Sequence, residues 1–118
     1  VHEISLATNI LETAERFVAG GVIESVRVAV GELSAVEPDL LIFAWEAVVC
    51  GTRHQHSQLL VDWIPARQTC PRCGTEAERG AGQWHFNCAR CGSPLAIEGG
   101  TEMDIMEVTF REAPAAEH

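Results

Sequence analysis

Apolar residues recur at helical spacing near the start of the chain: Leu6, Ile10, Ala14 and Phe17, with Leu11 and Val18 widening the stripe. Ser5 has the side chain of an N-cap, and Gly20-Gly21 supply the expected stop. The period then shortens to that of a strand. Val22, Glu24, Val26, Val28 and Val30 alternate with Ile23, Ser25, Arg27 and Ala29, which predicts a strand with one largely apolar face. Gly31 to Glu37 reads as a connection. Pro38 fits the first turn of a second helix, with Glu37 and Asp39 complementing its dipole. Leu41, Trp45, Val48 and Val49 give that helix its buried stripe, and Gly51-Thr52 end it. Leu59, Val61 and Trp63 alternate in a second strand closed by Pro65. Beyond a cysteine-rich stretch, Leu95 to Glu98 predicts a short strand, Gly99-Gly100 a turn or bulge, and Met103 to Phe110 a longer strand.

This order predicts an α+β fold, with a small sheet of about three strands carrying two helices on one face. The last long strand is expected to return to the sheet of the first two, which makes the cysteine-rich stretch an inserted, zinc-ribbon-like lobe. Residues 1–66 and 98–118 would then form the body, and residues 67–97 the lobe.

The cysteines themselves are the most specific signal. Cys70-Pro71-Arg72-Cys73-Gly74 and Cys88-Ala89-Arg90-Cys91-Gly92 are two C-x-x-C pairs, with fourteen residues between Cys73 and Cys88. That pattern is the usual signature of a four-thiolate structural zinc site. The glycine after each pair lets the backbone turn under the sulfur, where N–H groups can donate to it. A closed four-sulfur site leaves no open position for a substrate, so its metal builds structure. A dithiol redox motif has the same short form, but no βαβ pattern surrounds this one and a second pair stands nearby. Rubredoxin-like iron sites also use four thiolates; the short separation between the pairs, and aromatic cover limited to Trp84 and Phe86, favour zinc.

Charge narrows the partners. The chain has a net charge of −9, and every basic residue other than histidine is an arginine. Residues 1–64 hold nine acids and three arginines, and residues 92–118 six acids and one arginine, whereas residues 65–91 hold two acids and four arginines. An acidic body repels phosphate backbones, which argues against nucleic acid as a partner. No stretch approaches the roughly 20 apolar residues of a membrane span. The first residues lack a basic region followed by an apolar one, so no signal peptide is expected, and reduced, metal-bound thiols point to the cytoplasm. A homodimer is compatible with the sequence. No phosphate-binding loop and no hydrolytic constellation is present, so the reading is of a non-enzyme.

His2 is the second metal candidate. A histidine next to the chain start offers one ion three nitrogens: the Val1 amine, its own amide and its imidazole. The Glu3 amide can add a fourth nitrogen and its carboxylate an outer ligand. Planar nitrogen sets suit Ni(II) and Cu(II), and ligation releases protons. A second-position histidine in an arbitrary chain is more often a plain terminus. His54 and His56, in the loop after the second helix, are read as solvated loop histidines and not ligands. His85 is read as a strand residue beside the zinc site, Cys50 as a buried small hydrophobe, and Trp45 and Trp63 as core.

Val1-His2-Glu3-Ile4-Ser5-Leu6 resembles the M-H-E-x-S-[LV] start of the HypA/HybF family of nickel-insertion proteins for [NiFe]-hydrogenase maturation. The resemblance continues through Val28 to Leu33, Ser34 to Pro38, Phe43 to Ala47, Gly51-Thr52, the paired knuckles and Gly99 to Met103. It implies a metallochaperone whose cargo is Ni(II) and whose structural metal is Zn(II) at Cys70, Cys73, Cys88 and Cys91. By the same resemblance, the nickel site centres on His2, with the backbone amine of Val1 and with Glu3, and Glu37 is a further candidate near it. The implied partners are a nickel-handling GTPase and the hydrogenase large subunit. One departure is the valine where the family has methionine, as a valine start codon read as initiator methionine would produce. The competing reading is a zinc-ribbon adaptor or regulatory protein without nickel transfer.

Overall fold

A computed structural model describes residues 3–112. The elements are α1 (Glu3–Val18), β1 (Val22–Gly31), a 3-10 turn (Glu32–Ser34), α2 (Pro38–Val49), β2 (Gln58–Ile64), β3 (Arg67–Thr69), β4 (Ala96–Glu98) and β5 (Met103–Arg111). β1 is the central strand of a three-stranded mixed sheet, parallel to β2 and antiparallel to β5. Its parallel pairing with β2 requires a crossover, and α2 provides it. Both helices cover one face, and a single core joins them to the sheet: Ala7, Ile10 and Ala14 of α1, Leu41, Ala44 and Trp45 of α2, and Val26, Val28 and Val30 of β1. Each large apolar side chain so buried contributes roughly 1.5–3 kcal/mol. The expected α+β architecture is therefore the observed one.

Several local readings change. α1 begins at Glu3, so Ser5 sits inside its first turn instead of capping it. Its buried positions are Ala7, Ile10, Ala14 and Val18, while Phe17 is 68% exposed. Phe17 lies about 100° around the helix from Val18, and Val18 takes the core position. On β1, Ile23 is buried although the strict alternation put it on the opposite face from Val26. The pairs Ile23↔Phe110 and Ser25↔Thr109 leave Glu24 as an extra residue, and this bulge resets the alternation. A second bulge lies on β5, where Met106 falls between the pairs Arg27↔Glu107 and Val28↔Ile105.

Trp45 is fully buried, and its indole N–H donates to Ser57 Oγ at 3.0 Å. Trp63, in contrast, is 40% exposed, because β2 pairs on one side only. Cys50 is exposed: α2 ends at Val49, and the backbone at Cys50 (φ −58°, ψ 129°) leaves the helix before the stripe can continue.

A second, two-stranded sheet, in which β3 and β4 pair antiparallel with Arg67 opposite Glu98 and Thr69 opposite Ala96, flanks the cysteine-rich stretch on both sides in sequence. No hydrophobic alternation marks Arg67-Gln68-Thr69, so this strand carries no sequence signal. Gln68 is buried and clamps the lobe: its amide N–H donates to the His85 carbonyl (2.7 Å), and its Oε1 accepts from the His85 N–H (2.9 Å).

Candidate metal centre

The two C-x-x-C segments fold as matching turns. In the first, the Gly74 N–H donates to the Cys70 carbonyl at 2.8 Å and the Cys70 N–H to the Thr75 carbonyl at 2.9 Å. In the second, Gly92 donates to Cys88 at 2.8 Å and Cys88 to Ser93 at 2.7 Å. Both glycines have φ +79°, the left-handed region that a side chain disfavours. A Cβ on either would meet no atom within 4 Å, so it is conformation and not space that calls for glycine.

The turns bring four sulfurs together. Cys70 Sγ lies 3.4 Å from Cys91 Sγ, Cys73 Sγ 3.7 Å from Cys88 Sγ, and all four fall within 4.8 Å of one another. A tetrahedron of thiolates with metal–sulfur bonds of about 2.3 Å has edges of about 3.8 Å, so the donor set fits zinc. Backbone N–H groups already aim at the sulfurs, from Cys73 to Cys70 Sγ at 3.4 Å and from Arg90 to Cys88 Sγ at 3.3 Å. The Thr75 hydroxyl, then its backbone, lowers the pKa of Cys73 to about 6. The Ser93 hydroxyl acts likewise in lowering Cys91. Burial pushes the Cys70 thiol up instead, so Cys73 and Cys91 are the two thiols poised to lose protons to a cation. Cys70 and Cys88 are buried while Cys73 and Cys91 are exposed, so the cage is half sunk in the lobe.

The lobe is bound to the body by an ion pair. Arg79 Nη2 donates to Glu32 Oε2 at 2.6 Å, and the same oxygen accepts the Gly82 N–H at 2.8 Å. Glu32 Oε1 accepts the Ala66 N–H at 3.0 Å. Arg79 also donates to the Ala66 carbonyl (2.6 Å) and the Gln83 carbonyl (2.6 Å), and its guanidinium stacks 3.9 Å over Trp84. The Arg79 bond first, then the Gly82 N–H, hold the Glu32 pKa down at about 2.

The histidines are not gathered at the cage. The His85 ring approaches the Glu78 carbonyl at 3.1 Å, and His56 is exposed. His54 is 1% exposed instead of solvated. Its Nδ1 accepts the Ile23 N–H at 3.0 Å, so Nε2 carries the proton and donates to Glu15 Oε2 at 3.1 Å. Both ring nitrogens are spent on structure. Nothing in the loop sequence distinguished this histidine from His56.

Of the N-terminal candidates, Val1 and His2 lie outside the described residues. Glu3 opens α1. Glu37 is the residue preceding α2, exposed, with its carbonyl accepting the Leu41 N–H at 2.9 Å and its carboxylate making no capping bond. Its side chain is therefore not committed to closing the helix. Among the described residues, the four cysteines form the one grouping of three or more metal-ligating side chains.

The family model for hydrogenase/urease nickel incorporation, metallochaperone HypA, matches residues 1–110. The chain belongs to the HypA family. Similar proteins include the hydrogenase maturation factor HypA of Geobacter sulfurreducens, 31% identical over 110 residues, covering 92% of this chain and 97% of that one. The HypA of Acidithiobacillus ferrooxidans is 34% identical over 112 residues, again covering 92% of this chain and 97% of its own. The solution structure of the Ni metallochaperone HypA from Helicobacter pylori superposes with a TM-score of 0.61 at 21% identity, covering 96% of this chain and all of that one, and so shares the HypA fold. Among the described residues, no helix is long and apolar enough to cross a membrane.

Proposed function

We propose that this HypA-family chain is a nickel metallochaperone for hydrogenase maturation, carrying Ni(II) as cargo while a structural Zn(II) holds its lobe. The observation that carries the reading is the family match along residues 1–110, which includes His2 and all four cage cysteines. The thiol cage supplies four ligands from within the lobe, so it suits a resident metal and leaves the cargo to another site. Zinc there would tie the two turns together and supply folding free energy to a lobe with few apolar residues to bury.

The cargo site we assign is the chain start, with the Val1 amine, the His2 imidazole and amide, and Glu3 as ligands and Glu37 as a nearby acid. Planar nitrogen ligation favours Ni(II) over zinc and keeps the two metals on separate sites. The receiving partners would be a nickel-handling GTPase and the hydrogenase large subunit in the cytoplasm. The adaptor reading has no comparable support, since it leaves the matched N-terminal segment without a role.

Nickel titration of protein with a free amino terminus tests this, beside His2→Ala and an N-acetylated sample. Both changes should abolish tight nickel binding and leave the zinc content alone. Unchanged nickel affinity in His2→Ala would remove the chain start from the site.

A further inference from the structure

An apolar groove of about 630 Å³ runs between α1 and β5. Thr13 and Phe17, one turn apart on α1, form one wall; Met103, Ile105, Met106 and Phe110 form the other. Phe17 is 68% and Met106 61% exposed, an arrangement that costs free energy in water and invites a cover. The groove continues past Phe17 and Phe110 into a second hollow of about 380 Å³ beside Val18 and Ala19. Asp104, Glu107 and Glu112 stand among its polar lining residues; Arg27 of the neighbouring strand pairs with Glu107 at 3.7 Å, and no arginine lines the groove itself.

These features discriminate among occupants. β5 is an outer strand, yet the bulge at Met106 breaks its ladder midway, which disfavours an added strand along its free edge. A second copy of a chain with net charge −9 would set acid against acid. The segment 113–118 has one acid and no arginine or lysine, and so offers no complementary charge. A helix with an apolar stripe and basic flanks satisfies both the walls and the rim. Met103 to Phe110 spans roughly 25 Å of strand, which about 16 helical residues would match.

We infer that this groove docks a basic amphipathic helix of a partner protein. A partner anchored at Phe17 would sit about 21 Å along the helix axis from Glu3, and metal transfer would proceed from the amino-terminal cargo site beside it. That consequence rests on the nickel reading; the docking itself does not.

The probe is a 16-residue amphipathic peptide of leucine and lysine (roughly the length derived above), followed by amide chemical shifts on the whole chain. Controls are a peptide of the same composition in scrambled order and one with glutamate replacing lysine. The amphipathic lysine peptide should perturb Thr13, Phe17, Met106 and Phe110, and bind at least about fivefold more tightly than either control. The double variant Phe17→Ser/Met106→Ser, changed at exposed positions, should lose at least about fivefold in affinity while retaining its nickel and zinc stoichiometry. Equal binding of the scrambled peptide, shifts elsewhere, or an unaffected double variant would overturn the proposal. So would a dimer in sedimentation that the double variant dissolves, which would give the groove to a second copy. Shifts confined to the groove on deleting residues 113–118 would give it to the chain's own end. Failure of the nickel titration with success of this one would leave docking standing and remove only its consequence for transfer.

Discussion

Arg79 Nη2 and Glu32 Oε2 meet at 2.6 Å, with side chains only 5% and 8% exposed, across the boundary between lobe and body. They stand forty-seven positions apart in the chain. The pair is buried but fully hydrogen-bonded, the condition under which a charge pair escapes most of its desolvation cost. Glu32 directly follows the last residue of β1, and Arg79 lies between the two cysteine turns. Rotation of the lobe against the sheet would therefore break this contact.

Glu32→Gln removes the charge and leaves the Arg79 guanidinium buried without its counter-ion. The amides of Ala66 and Gly82, which both donate to Glu32, should then exchange hydrogen with solvent several-fold faster, while core amides such as Val28 keep their protection. Unaltered exchange at both amides would mean that the backbone strands alone hold the lobe.

Acid should undo the same contact. The folded Glu32 pKa is about 2, below its ordinary value of 4.5. A depressed carboxylate contributes stability that is complete above the unfolded value and is lost as pH falls from about 4.5 through about 2. Carboxyl-carbon chemical shifts should show Glu32 titrating near the lower figure, and Arg79→Ala should move that midpoint upward. A Glu32 midpoint at the ordinary carboxylate value in the unaltered protein would contradict the geometry.

Much of this fold was legible because periodicity and turn residues agreed over α1, β1 and α2, and the cysteine spacing named the cage outright. Other features left no such trace. The bulge at Glu24 arises from pairing with β5, so no local pattern around Ile23 could announce it. Phe17 and Val18 are both apolar and adjacent, and only the placement of α1 decides which is buried. Arg79 counted toward a basic lobe, although its charge is consumed by Glu32. His54 illustrates the reverse case, a loop residue whose partners, Ile23 and Glu15, lie 31 and 39 positions away.

His54→Ala should destabilise the body without touching either metal. It leaves the Ile23 N–H without its acceptor, a cost of roughly 1–3 kcal/mol, and opens a cavity besides. Chemical denaturation followed at Trp45 measures the loss, and nickel titration of the same sample should give the unaltered affinity. A variant of normal stability with weakened nickel binding would instead make His54 a ligand.

Two glycine substitutions should separate strain from collision. Gly74→Ala meets open space but holds φ +79°, so the first turn should lose about 1 kcal/mol and still take up zinc. In Gly31→Ala the new Cβ would fall 2.2 Å from the Gly100 backbone, where no side chain can yield. That variant should shift β1 against the Gly99-Gly100 turn and disturb lobe docking, visible as faster exchange at the Leu33 N–H that now donates to Gly100. Equal behaviour of the two variants would show that the close approach is not maintained in solution.

The cage and the cargo site should be energetically linked through the Glu32–Arg79 pair. Glu32 and Glu37 stand five positions apart on one connection, the first bound to the lobe and the second leading α2. Linkage requires that nickel bind two lobe orientations with different affinity; a ligand indifferent to them shifts nothing. If the docked lobe favours nickel, Glu32→Gln should weaken nickel binding although it alters no proposed ligand. By reciprocity, nickel should then slow exchange at the Gly82 N–H in the unaltered protein by the corresponding factor. A lobe that nickel favours undocked would invert both signs together. Titrating nickel into both forms, with the thiol cage loaded with zinc throughout, measures the factor. Equal nickel affinities, with no change at Gly82, would reduce the lobe to a passive scaffold whose work is confined to partner contact.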